Sequence, residues 1–128
     1  MGYAIDTTKS IWRITFLETL TNDDLRKLLD DADAIEKPAP VVANRIVDFR
    51  QLETINIGFH ELSDFAAGRR RLGFPNNLKS AILTNNPVQY GFARMFQTIL
   101  EHPQITVRIF NNETDAIEWL SQSDIGTK

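Results

Sequence analysis

The chain contains no cysteine, which excludes disulfide bridges, thiolate metal sites and cysteine nucleophiles. That absence suits a reducing cytoplasm. Histidine is nearly as scarce, with only His60 and His102. His60-Glu61 does not continue into a two-histidine zinc helix, because the second position is Asp64. Both histidines therefore read as surface or capping groups, and neither a metal site nor a cofactor is expected. No G-x-S-x-G stretch occurs. His60, Ser63 and Asp64 fall at helical spacing, but on a polar face without the strand-to-helix turn that exposes a serine nucleophile. No apolar run approaches the roughly 20 residues of a membrane span. The opening MGYAIDTTKS has no basic segment followed by an apolar stretch, so no signal peptide is expected. A net charge of −3 provides no overall attraction to nucleic acid or an anionic membrane. The expectation is a cytoplasmic protein without catalytic machinery.

What is present is ordinary globular material. At 128 residues, with 42% hydrophobic and 24% charged residues, the chain is long enough for one cored domain. That domain is expected over residues 1–121, followed by a polar, flexible tail over 122–128. Tyr3–Asp6 and Ile11–Glu18 read as strands, the second from the alternation of Trp12, Ile14 and Phe16 with Arg13 and Thr15. Thr21 and Asp24 form a capping box for a helix whose inward face carries Leu25, Leu28, Leu29, Ala32 and Ile35. Asp30, Asp31, Asp33 and Glu36 are assigned to its outward side. Pro38 and Pro40 end it. Val41–Phe49 follows as a strand, strongest over Arg45–Phe49, and Gln51–Gly58 as a loop. Phe59–Leu72 reads as a helix with Phe59, Leu62, Phe65, Ala66 and Leu72 turned inward.

The second half repeats strand and helix with a signal at every boundary. Ser80–Thr84 is a short apolar run of the kind buried on both faces. Asn86 caps the next helix, with Pro87 at its first position and Gln89 completing a capping box. Val88, Phe92, Met95, Phe96 and Ile99 form the expected core face of that helix. Tyr90, Arg94, Gln97 and Glu101 fall opposite. Gln104–Phe110 alternates as a strand. Asn112 and Asp115 open a last helix carrying Ala116, Trp119 and Leu120. The fold class is α/β, a mixed and mainly parallel sheet of about five strands with four helices.

Three surface features are candidates for binding. Arg69-Arg70-Arg71 could meet phosphate, but three cations at a helix C-terminus are already favoured by its dipole and terminal carbonyls. No glycine-rich loop or interleaved aromatic accompanies them, so the structural role is preferred. The Asn86 helix start, following a central strand, offers N–H groups to a small anion. Its cap already uses some of them, and a plain cap is preferred. Tyr90 and Arg94 lie one turn apart on the outward face, where either could contact a partner or ligand.

These residues carry a resemblance. The block NPVQYGFARMF over 86–96, with VRIF over 107–110 and AIEWL over 116–120, resembles the bacterial SpoIIAA-like family of STAS-type domains. The earlier order of strands and helices fits it as well. The resemblance implies a β–α superhelix with helices packed on a mixed sheet, a fold similar to CRAL-TRIO lipid-carrying domains. It implies a non-enzymatic protein-interaction or regulatory module. STAS-type anti-sigma-factor antagonists are switched by phosphorylating a serine where the helix after the third strand begins. Here the matching stretch is DFRQLETINIGFH over 48–60. Asp48 retains the strand-end acid, while Ile57 and Gly58 occupy the serine positions, so the switch hydroxyl is absent. Thr54 and Ser63 are the nearest alternatives for phosphorylation. The expected partner surface comprises Arg50, the 51–58 loop, Asn86, Tyr90 and Arg94. The partner is an unknown protein or a second copy of the chain. An alternative reading, motivated by eight phenylalanines and two tryptophans, is a carrier or sensor of a small apolar or lipid-like ligand. Core filling is the preferred account of those aromatics.

Overall fold

The computed structural model describes residues 2–122. It begins with a hairpin: β1 (Tyr3–Asp6) pairs antiparallel with β2 (Trp12–Phe16), and the Asp6 carboxylate accepts hydrogen bonds from Thr8 at the turn. The strand expected through Glu18 stops at Phe16. Glu18 adopts a left-handed φ of 58°, which turns the chain out of the main sheet and into β3 (Glu18–Thr21). Thr21 then caps α1 (Asn22–Glu36) with the reciprocal Asp24 bonds of a capping box, as its sequence predicts.

The strand expected over Val41–Phe49 is confined to β4 (Arg45–Asp48). The loop expected at Gln51–Gly58 contains a strand, β5 (Leu52–Asn56), paired parallel with β3 in a separate two-stranded sheet. It escaped detection because only Leu52 is buried and its partner comes from a distant segment. There follow α2 (Phe59–Arg70), β6 (Leu78–Leu83), α3 (Pro87–Leu100), β7 (Ile105–Phe110) and α4 (Glu113–Ser121). The expected tail from position 123 onward lies outside the described residues.

The five-stranded sheet has the order β1-β2-β4-β6-β7, parallel except for the first pair. Central β6 is buried at every residue, as a strand covered on both faces must be. Alternation along the strands separates two cores. Ile14, Phe16, Phe49 and Ile82 face α1, α2 and α3, meeting Leu25, Leu28, Leu62, Phe92 and Ala93. Ile46, Ala81 and Leu83 face α4, meeting Ala116, Trp119 and Leu120. An aromatic chain Tyr3–Phe16–Phe49–Phe92, with centroid spacings of 6.0, 5.4 and 5.8 Å, runs through the larger core.

Several side chains depart from their expected faces. Val88, Phe59 and Met95, expected inside, are 70%, 63% and 38% exposed. Phe59 and Val88 occupy first turns, and helical side chains lean toward the N-terminus, here past the edge of the sheet. The buried line of α3 instead runs Gln89, Phe92, Ala93 and Leu100. Glu36, assigned outward, is buried at the end of α1. Among the described residues, no helix is long and apolar enough to cross a membrane.

Candidate functional site

Parallel strands and the starts of their following helices gather at one edge of the sheet. β4 ends there at Asp48, whose carboxylate receives Arg50 through the backbone N–H at 3.0 Å, Nε at 3.0 Å and Nη2 at 2.9 Å. Arg13 of β2 reaches the same carboxylate at 3.3 Å and Glu113, at the start of α4, at 2.8 Å. Arg50 also reaches Glu113 at 3.1 Å. Burial pushes the Asp48 carboxyl up, but its bonds to Arg50, reinforced by Arg13, outweigh burial and hold it below the usual value. The Arg50 guanidinium is raised by its bonds to Asp48, despite partial burial, with Glu113 adding to the effect. Arg50, a predicted contact residue, is thus committed within a closed, charge-neutral cluster. Beside it is a groove of about 270 Å³ lined by Asp6, Lys9, Arg13, Ile46, Glu113 and Ile117.

The start of α3 adjoins this edge. Asn86 Oδ1 accepts from Gln89 N at 2.9 Å, so Asn86 is the cap its sequence predicts. The expected return bond of a capping box is replaced. Gln89 is buried, its Oε1 accepts from Asn85 N at 2.8 Å, and its Nε2 donates to Leu52 O at 3.0 Å. Gln89 therefore ties α3 to β5 across the chain. Tyr90 is half exposed, and among the described residues no hydrogen bond or ring contact holds its side chain. Arg94 is exposed and donates to Gln97 Oε1 at 2.7 Å rather than to Tyr90. Phe65 of α2 meets Phe96 of α3 in a tilted contact, with ring centroids 5.8 Å apart. Six residues nearer each N-terminus, about 1.7 turns, are exposed Phe59 and Tyr90.

The remaining sequence candidates separate. Gly58 is the N-cap of α2 and provides no side-chain bond, which confirms that no hydroxyl occupies that position. Thr54 is exposed on β5 and Ser63 is half-buried within α2, so neither lies at a helix start. His60 Nε2 lies 3.3 Å from an Asp64 carboxylate oxygen on the surface, without Ser63. His102 is buried and bonded to Leu72 O at 2.6 Å, while its Nδ1 accepts from Gln104 N. Those partners place the imidazole proton on Nε2. Among the described residues, no three acidic or imidazole groups gather as metal ligands.

The arginine run also divides. Arg70 donates to Ile99 O at 2.6 Å, satisfying the C-terminal carbonyls of neighbouring α3. Arg69 turns inward and grips Glu36 with two bonds, of 2.7 and 3.0 Å. Arg45 bonds the same carboxylate and also donates to Ala43 O. Burial pushes the Glu36 carboxyl up, but Arg69 and Arg45 overcome it and leave it lowered. This Arg45–Glu36–Arg69 group was missed because charged residues are ordinarily assigned to solvent. Its signal was positional: Glu36 continues the 25–28–32 line of α1, Arg69 the 62–66 line of α2, and Arg45 shares the parity of Val47 and Phe49.

Both arginines line a cavity of about 80 Å³ between the sheet and α1–α3, partly open to solvent. Its other walls are almost wholly apolar, including Phe16, Phe49, Phe92, Phe96 and Val107. Ser80 of β6 adds one further polar side chain.

A family profile described as a domain of unknown function, DUF7793, matches residues 67–124. That stretch runs from α2 through α4 and includes Tyr90 and Arg94. Among solved structures, the chain is similar to an uncharacterised protein of the DUF3478 family with a SpoIIAA-like fold from Shewanella loihica PV-4. The identity is 15%, covering 92% of this chain and 91% of that one, with a TM-score of 0.61. At that identity the likeness gives the fold, which is the expected SpoIIAA-like arrangement of helices on a mixed five-stranded sheet. No curated protein matches the sequence.

Proposed function

On the premise of a SpoIIAA-like fold, we propose that the chain is a non-enzymatic, STAS-like interaction module of a bacterial cytoplasm. Its docking surface is the edge where α2 and α3 begin. The observation that carries this reading is the exposure of Phe59, Val88 and Tyr90 at those two helix starts. Large side chains held on rigid helical ends provide apolar contact area at low entropic cost, and tyrosine and arginine are enriched among residues that dominate binding energy. Arg94 supplies the polar rim. The Asp48–Arg50–Glu113 cluster braces the neighbouring loop without presenting a free charge. With Ile57 and Gly58 at the position of a switch serine, docking is constitutive rather than released by phosphate.

The test is affinity capture from the native organism with the wild-type chain and with the Tyr90→Ala/Arg94→Ala double variant. Both side chains face outward, so the variant should keep its unfolding midpoint while losing at least tenfold in partner recovery. Equal recovery would remove this surface from the interface.

A second reading, a carrier or sensor of a small apolar molecule, is favoured by the cavity beneath α1–α3. It is compatible with the first, because the cavity and the docking edge use different faces of the same helices.

A further inference from the structure

The polar side chains of the cavity lie close together, and their placement is written into the strand register. Trp12, Arg45, Ser80 and Val107 form one row across β2, β4, β6 and β7. The next row on the same face is Ile14, Val47, Ile82 and Ile109. Phe16 and Phe49 lie beyond it, about 13 Å along the strands from Arg45, while Leu78 and Ile105 continue the lining on the other side of the polar row. Ser80 is the direct neighbour of Arg45 and lines the cavity with only 7% of its surface exposed. Among the described residues, its hydroxyl has no hydrogen-bond partner, and neither has Arg69 Nε. The charge is unbalanced as well. Two guanidiniums share one carboxylate, leaving a single positive charge in the wall of an otherwise apolar space.

We infer that this cavity binds a short-chain monocarboxylate, its head between Ser80, Arg45 and Arg69 and its alkyl tail among Phe16, Val47, Phe49, Ile82 and Phe92. The inference rests on the carrier reading and specifies its ligand. A carboxylate accepts the Ser80 proton and the unused guanidinium donor, and it neutralises the surplus charge. Size sets the chain length. An apolar cavity of about 150 Å³ accepts benzene. The volume here, about 80 Å³, suits a tail of about three carbons better than an extended fatty chain. Butanoate is therefore the matched probe, and 1-butanol its neutral counterpart.

The experiment titrates the full chain with butanoate, 1-butanol and decanoate, following methyl and amide NMR shifts and the unfolding temperature. Expected is saturable butanoate binding with shifts centred on Ser80, Ile82 and Val107, and affinity for 1-butanol at least tenfold weaker. Ser80→Ala removes a hydroxyl that holds no partner in the protein, so it should fold as well as wild type yet bind butanoate about fivefold more weakly. Ser80→Leu, which fills the cavity, should abolish binding. Equal or tighter binding of 1-butanol would overturn the carboxylate assignment, and tighter binding of decanoate would overturn the short-chain assignment, either result leaving the carrier reading intact. Absence of any saturable shift with all three probes would overturn both.

Discussion

Two charge clusters occupy opposite ends of β4, and they differ in what surrounds them. At its start, Arg45 meets Glu36 and Arg69 with side chains 6%, 3% and 8% exposed. Just past its end, Arg50 and Arg13, about a third exposed, meet buried Asp48 and exposed Glu113. The first group is dry, carries a surplus positive charge and joins α1, α2 and the sheet. The second is wet, neutral and joins β2, β4 and α4. Similar side chains therefore have opposite energetic roles. In the dry group, desolvation is large and each partner is indispensable to the others. In the wet group, water and salt can replace a missing partner.

The sharpest way to break this comparison is Glu36→Gln. It leaves two buried guanidiniums without a carboxylate and should cost about 3–5 kcal/mol in urea unfolding. A loss below about 1 kcal/mol would mean that water reaches the dry group and that the two clusters are alike. Replacing Glu36, Arg45 and Arg69 together by apolar residues of similar volume should instead be neutral or stabilising by about 1–4 kcal/mol.

Acid provides the next test. The Glu36 and Asp48 carboxyls are both lowered, from ordinary values of 4.5 and 3.8. Their contribution is full above those values and disappears as pH falls through the lower folded-state values. Stability should therefore fall steeply below about pH 4, and Asp48→Asn should flatten part of that slope. An unchanged slope in Asp48→Asn would remove the wet group from the acid response and leave it to the other lowered carboxyls, Glu36, Asp31 and Asp6.

Smallest is Glu113→Ala. Its carboxylate is exposed, and Arg13 and Arg50 retain Asp48, so the cost should be about 0.2–1 kcal/mol. That cost should vanish in molar salt, because the Debye length is then about 3 Å. A salt-independent loss would place Glu113 among the buried pairs.

Much of the architecture was legible along the chain. The capping residues Thr21, Asn86 and Asn112, together with Pro87, mark three of the four helix starts because capping is a local interaction. Continuous apolarity identified β6, and alternation identified β2 and β7. The second sheet was hidden because β3 and β5 exist only as each other's partners. Faces were misassigned where residue type and position disagreed. On α1, period placed Glu36 on the inner line, whereas its charge argued for solvent. On α3, Gln89 took the inner position and Val88 the outer one for the same reason.

The sequence by itself determined the α/β class, three of the four helix starts and the absence of cysteine chemistry, since these follow from local propensity and composition. Only the tertiary structure decided that Glu36, Arg69 and Gln89 go inside, that Arg50 is held within a cluster, and that Ser80 faces a cavity without a partner. The physical reason is that burying a polar group is tolerable only where another segment brings its complement, and that meeting is a property of three-dimensional packing.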